Sequence, residues 1–76
     1  MRKTIDGRGL VAPEPFERAM SALDALGPDD ELQLLLPCRP QPLYRVLQRN
    51  GFVWREVLAA DGTVEVYITQ RPATSG

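Results

Sequence analysis

Twice in this chain a Pro-x-Pro opens an amphipathic segment: Pro13-Glu14-Pro15 before the first and Pro40-Gln41-Pro42 before the second. Proline suits the first turn of a helix, where the amide hydrogen it lacks has no helical partner, and breaks the turns beyond it. The two pairs therefore set where two helices begin. After the first, Phe16, Ala19, Met20, Leu23 and Leu26 recur at spacings of three and four on one stripe, with Glu17, Arg18, Ser21 and Asp24 opposite. Glu14 stands four residues before Arg18, the favourable order for a helical ion pair. Gly27-Pro28 predicts the stop, with Gly27 as a left-handed cap, so the helix is expected over Pro13–Leu26. After the second pair, Leu43, Val46 and Leu47 point inward and Arg45, Gln48 and Arg49 outward, over a helix from Pro40 to Asn50 that Gly51 caps.

Strand patterns fill the remaining windows. Glu31–Leu36 alternates, with Leu32, Leu34 and Leu36 on one face and Gln33 and Leu35 on the other. Phe52–Leu58 and Thr63–Gln70 predict a hairpin around the turn dipeptide Asp61-Gly62. In the last strand Val64, Val66 and Ile68 face the core, leaving Glu65, Tyr67 and Thr69 outside. The strand before it admits two settings: Phe52, Trp54 and Leu58 inward bring Glu56 with them, while Val53 and Val57 inward bring Arg55. A short strand over Lys3–Asp6 completes the order β-α-β-α-β-β. At 76 residues there is room for one core. The expected fold is α/β in class, an α+β two-layer sandwich with two helices on one face of a four-stranded mixed sheet. If the first two strands are parallel neighbours, their crossover is right-handed. One domain is expected over 1–71, with 72–76 as a loose tail. The loops Gly7–Ala12 and Pro37–Arg39 then open at one sheet edge and gather Arg8, Ala12, Cys38, Arg39 and both helix N-termini.

Composition removes several function classes. The chain has no His and one Cys. There is no imidazole base, no Ser-His-Asp or Cys-His catalysis, no usual zinc site and no intramolecular disulfide. No metal or cofactor is expected. The formal charge of -1 gathers no nucleic acid. Asp6 precedes any apolar stretch a signal peptide needs, and no apolar run approaches the roughly 20 residues that span a bilayer, so a soluble cytoplasmic domain is expected.

The decamer Asp6-Gly7-Arg8-Gly9-Leu10-Val11-Ala12-Pro13-Glu14-Pro15 resembles the opening of the TusA-like (SirA-type) sulfur-carrier superfamily. There, a strand runs into Asp-x-Arg-Gly-Leu-x-Cys-Pro-x-Pro at the start of the first helix. The resemblance implies the same β-α-β-α-β-β order over nearly the whole chain. It also implies a persulfide-carrying Cys where this chain has Ala12, which has no thiol for a sulfur relay. Pro40-Gln41-Pro42-Leu43-Tyr44 and Gly51-Phe52-Val53-Trp54 resemble a Cys-less branch of the superfamily known mainly as a domain of unknown function, some of whose members are linked to hemerythrin-like domains.

Candidate contact residues follow. The loop edge offers Arg8, Pro13, Glu14, Cys38 and Arg39, and the second helix offers Arg45 and Arg49. Cys38, the only thiol, has two readings. It is a small loop residue, or it is a relocated carrier favoured as thiolate by a helix N-terminus and the Arg39 guanidinium. Its spacing is Cys-x-Pro-x-Pro, so the family motif does not transfer. Arg8 and Arg39 invite an anion, yet each Pro-x-Pro deletes the amides that would bind one, and Asp6 is a ready partner for Arg8. Charge is split: Glu14–Glu31 carries six acids against Arg18, and Leu32–Arg55 carries Arg39, Arg45, Arg49 and Arg55 without an acid. Two solvated helix faces account for such a split; its functional alternative is a protein partner steered by charge, favoured over RNA although Tyr44 or Trp54 could stack a base. An exposed Leu35 and Tyr67 make a patch too small for an obligate dimer, so a monomer is expected.

Overall fold

The computed structural model describes residues 1–9 and 14–70, the side chains of Glu14 and Pro15 excepted. Its elements are β1 (Arg2–Asp6), α1 (Glu14–Asp24), β2 (Glu31–Leu36), α2 (Gln41–Arg49), β3 (Val53–Leu58) and β4 (Val64–Thr69). The sheet order is β1-β2-β4-β3, with β1 and β2 parallel and the other two pairings antiparallel. The mixed four-stranded sheet with two helices is the α+β fold that the sequence pattern implies. The expected tail 72–76 lies outside the described residues.

Register fixes the faces. Leu32 pairs with Ile68, Leu34 with Val66 and Leu36 with Val64, and all six are buried. Ala19, Ala22 and Leu23 of α1, Leu26 beyond it, and Leu43 and Leu47 of α2 close over them. Each large side chain removed from water contributes about 1.5–3 kcal/mol, so this layer dominates the fold's stability. The buried stripe of α1 is rotated from its expected setting. Ala22 lies within it and Phe16 is 38 % exposed, because the small Ala19 and Ala22 let the helix seat on that side.

Helix ends and turns show further differences. Gly27 has no positive φ and is not a left-handed cap. Instead the last turn tightens, with the Ala25 and Leu26 amides donating to the Ala22 and Leu23 carbonyls, and the Gly27 N–H donates to Asp30 Oδ2 at 2.9 Å. Gly51 is the cap expected for α2: at φ 78° its N–H donates to the Gln48 carbonyl, and the Phe52 N–H reaches Leu47. That is the Schellman pattern, with Phe52 packed on the core. In the hairpin only Gly62 has positive φ, so Asp61-Gly62 does not form a two-residue turn. Gly62 N–H donates to the Ala59 carbonyl and Ala59 N–H to the Thr63 carbonyl, closing a three-residue loop over Ala60, Asp61 and Gly62.

The two settings open to β3 resolve by pairing. Trp54 stands opposite Ile68 and Glu56 opposite Val66, so Trp54, Glu56 and Leu58 face the helices. Val53, Arg55 and Val57 face the open side. Glu56 tolerates that face because two side chains satisfy its carboxylate.

Candidate binding surface

Asp6 ends β1 opposite Leu35, on the open face of the sheet. Its carboxylate holds Arg8 three ways: the backbone N–H and Nε donate to Oδ1 at 3.1 and 2.9 Å, and Nη2 donates to Oδ2 at 2.8 Å. Those bonds, the side-chain one foremost, hold the Asp6 carboxyl down to about 2 and push the Arg8 guanidinium up. Arg8 is therefore paired with Asp6, as the sequence allows.

On the helix side, Arg39 Nε donates to Glu56 Oε2 at 2.8 Å, and the Tyr44 hydroxyl donates to Glu56 Oε1 at 2.7 Å. The Tyr44 ring stacks on Trp54 with centroids 5.3 Å apart and planes 21° from parallel. Burial, followed by the Glu56 carboxylate, pushes the Tyr44 hydroxyl well above its ordinary pKa. This cluster ties the loop before α2, the helix itself and the edge strand β3 together. Sequence reasoning saw Tyr44 and Trp54 as aromatics and Arg39 as a free cation. It missed Glu56 as the common partner of Tyr44 and Arg39, and the signal was the one acid on a strand face otherwise apolar.

Cys38 is exposed. The start of α2 beside it has no amide left for an anion. Gln41 N–H donates to the Arg39 carbonyl, Pro42 has none, and the Leu43 and Tyr44 amides turn back to the Pro40 carbonyl. Pro40 provides no side-chain cap. Both supports expected for a thiolate, the helix N-terminus and the Arg39 guanidinium, are thus engaged elsewhere.

The expected gathering of Arg8, Cys38 and Arg39 into one neighbourhood divides. Parallel β1 and β2 do bring both loops to one end of the sheet. Arg8, however, sits with Asp6 on the open face, where Asp61 and Glu65 also act on it, whereas Arg39 sits with Glu56 on the helix face. Pro13, Ala12 and the Glu14 side chain lie outside the described residues. Arg45 and Arg49 are exposed on α2 and, among the described residues, meet no carboxylate. Of the acidic run, Asp30 meets the Met1 ammonium and Glu31 meets Arg2, so part of that charge is spent within the fold.

The open face is not the small apolar patch expected from Leu35 and Tyr67, as both are half-buried. Arg55 lies 4.1 Å and Arg2 5.5 Å from the Tyr67 ring centroid, flanking it as cations over an aromatic face. The Tyr67 hydroxyl donates to Glu65 at 2.6 Å and accepts from Gln33 at 3.1 Å. The exposed apolar side chains there are Val53 and Val57 on β3. Among the described residues, no group of three His, Cys, Asp or Glu side chains is placed to hold a metal, and no helix is long and apolar enough to cross a membrane.

Comparison with known proteins decides the family. Residues 4–70 match the model of a family described as an uncharacterized conserved protein, DUF2249. The chain belongs to the DUF2249 family. No curated protein matches it. This DUF2249 domain is similar to a SirA-like protein from Desulfitobacterium hafniense whose crystal structure is known. The two are 30% identical over 93% of this chain and 99% of that one, with a TM-score of 0.79. The DUF2249 domain thus has a SirA-like fold, in keeping with the decamer that begins at Asp6.

Proposed function

We propose that this domain is a non-enzymatic binding or accessory module and not a sulfur carrier, working on a protein partner in the cytoplasm. The observation that carries this reading is the environment of Cys38. Position 12 is Ala, so Cys38 is the one thiol, and the groups that would activate it are committed to Pro40, Arg39 and Glu56 backbone or side-chain partners. What stays available is charge: Arg45 and Arg49 on the outer face of α2. Rim charges of this kind steer encounter with an acidic protein surface without a large buried area. A single exposed thiol suits a reducing compartment, which supports the cytoplasmic placement.

The test is sulfur transfer. The wild-type chain, incubated with a cysteine desulfurase and cysteine, should gain a one-sulfur mass increment no faster than a small free thiol does. Rapid loading that disappears in Cys38→Ser would overturn the reading and make Cys38 a carrier.

A further inference from the structure

The sheet has two edges, β1 and β3. On β1, the Glu31 N–H donates to the Met1 carbonyl at 3.0 Å and the Gly7 N–H donates to the Leu35 carbonyl at 2.7 Å. These bonds set the odd-numbered residues of β1 toward β2. By the alternation of a strand, the N–H and C=O groups of Arg2, Thr4 and Asp6 point away from the sheet. Among the described residues nothing bonds to them. Beside them lies a groove of about 590 Å3 between the strand and α1, lined by Lys3, Ile5, Glu17 and Ser21 among others, so the helix does not roof the edge.

The strand reads Arg2-Lys3-Thr4-Ile5-Asp6, and it is complementary to itself. Turned antiparallel about Thr4, it sets Thr4 opposite Thr4 and Arg2 of one copy opposite Asp6 of the other, at both ends. These are the residues whose backbone groups face outward, so each pairing exchanges two N–H···O bonds. Their side chains share the open face, where Arg2 already pairs with Glu31 and Asp6 with Arg8, so the cross-copy Arg2–Asp6 contact extends those ion pairs and the Thr–Thr pair is a further favourable neighbour. We propose that β1 pairs with β1 of a second copy about a two-fold axis at Thr4, joining two four-stranded sheets into one of eight strands. The interface is isologous and closes on itself.

The other edge does not offer this. The Ala59 N–H to Thr63 carbonyl bond sets Trp54, Glu56 and Leu58 with their backbone groups outward on β3. The same operation about Glu56 would set two carboxylates against each other. The β1 pairing is short, so the domain is monomeric at about 1 µM and dimeric by about 1 mM.

Sedimentation velocity across that range tests the proposal. Thr4→Pro deletes one outward N–H that the β1–β2 ladder does not use, and it should raise the dissociation constant at least tenfold with an unchanged circular dichroism spectrum. Arg2→Asp presents only acids at the outer positions and Asp6→Arg only bases. Each should stay monomeric alone, and the two mixed should dimerise. A wild-type chain that stays monomeric at about 1 mM overturns the proposal, as does a dimer that Thr4→Pro leaves intact. A mixture that fails to associate overturns the register about Thr4.

Discussion

Two pairs of arginines separate what the fold uses from what it leaves available. Arg8 and Arg39 occupy the loops that the sequence marks as the functional edge, yet each is held by a carboxylate at 2.8 Å. Arg45 and Arg49 occupy an ordinary helix face, and no carboxylate among the described residues meets them. A cation's place in a motif does not make it a ligand-binding group. Its partner decides: Asp6 stands two residues from Arg8, whereas Glu56 comes from a strand face whose orientation only pairing fixes.

The largest effect that sharpens this comparison comes from the Arg39 side. Tyr44→Ala removes the stack on Trp54 and one of the two partners of Glu56, and should cost about 2–4 kcal/mol in urea unfolding. Arg39→Ala should cost less, about 0.2–1 kcal/mol, because that guanidinium is largely in water. If Arg39→Ala cost as much as Tyr44→Ala, Arg39 would be a keystone of the fold and the distinction between held and free arginines would need another basis.

A smaller effect tests the Arg8 pair. The Asp6 carboxyl titrates near 2 in the folded chain, below its ordinary value of 3.8. Its contribution to stability is therefore complete above the unfolded value and is lost as pH falls from there through about 2. Carbon-13 NMR of the Asp6 carboxyl should show that low midpoint, and Arg8→Gln should return it toward 3.8. A midpoint unmoved by Arg8→Gln would mean that another group holds the carboxylate and that Arg8 is free after all.

The fold was largely legible because its signals are local. Leu32, Leu34 and Leu36 alternate, the proline pairs mark both helix starts, and Gly51 caps α2 as its position implies. The rest depended on contacts that no local pattern encodes. Phe16 fits the α1 stripe by spacing, but Ala19 and Ala22 decided how the helix seats. Gly27-Pro28 looks like a cap, yet the Asp30 side chain took the Gly27 amide and a left-handed residue was not needed. The candidate surface was less legible still. Asp6 was visible two residues before Arg8, so that pair could be anticipated. Glu56 stands seventeen residues after Arg39, and its link needed the facing of β3, which the sequence leaves open.

The most direct test of the central claim, that the working charge lies on α2 and not in the loops, is an NMR titration of the nitrogen-15-labelled chain with hexaglutamate at low ionic strength. The account predicts amide and guanidinium shifts centred on Arg45 and Arg49, removed by added salt and absent in the Arg45→Glu, Arg49→Glu variant. Shifts centred on Arg8 or Arg39, or shifts that persist in that variant, would contradict it.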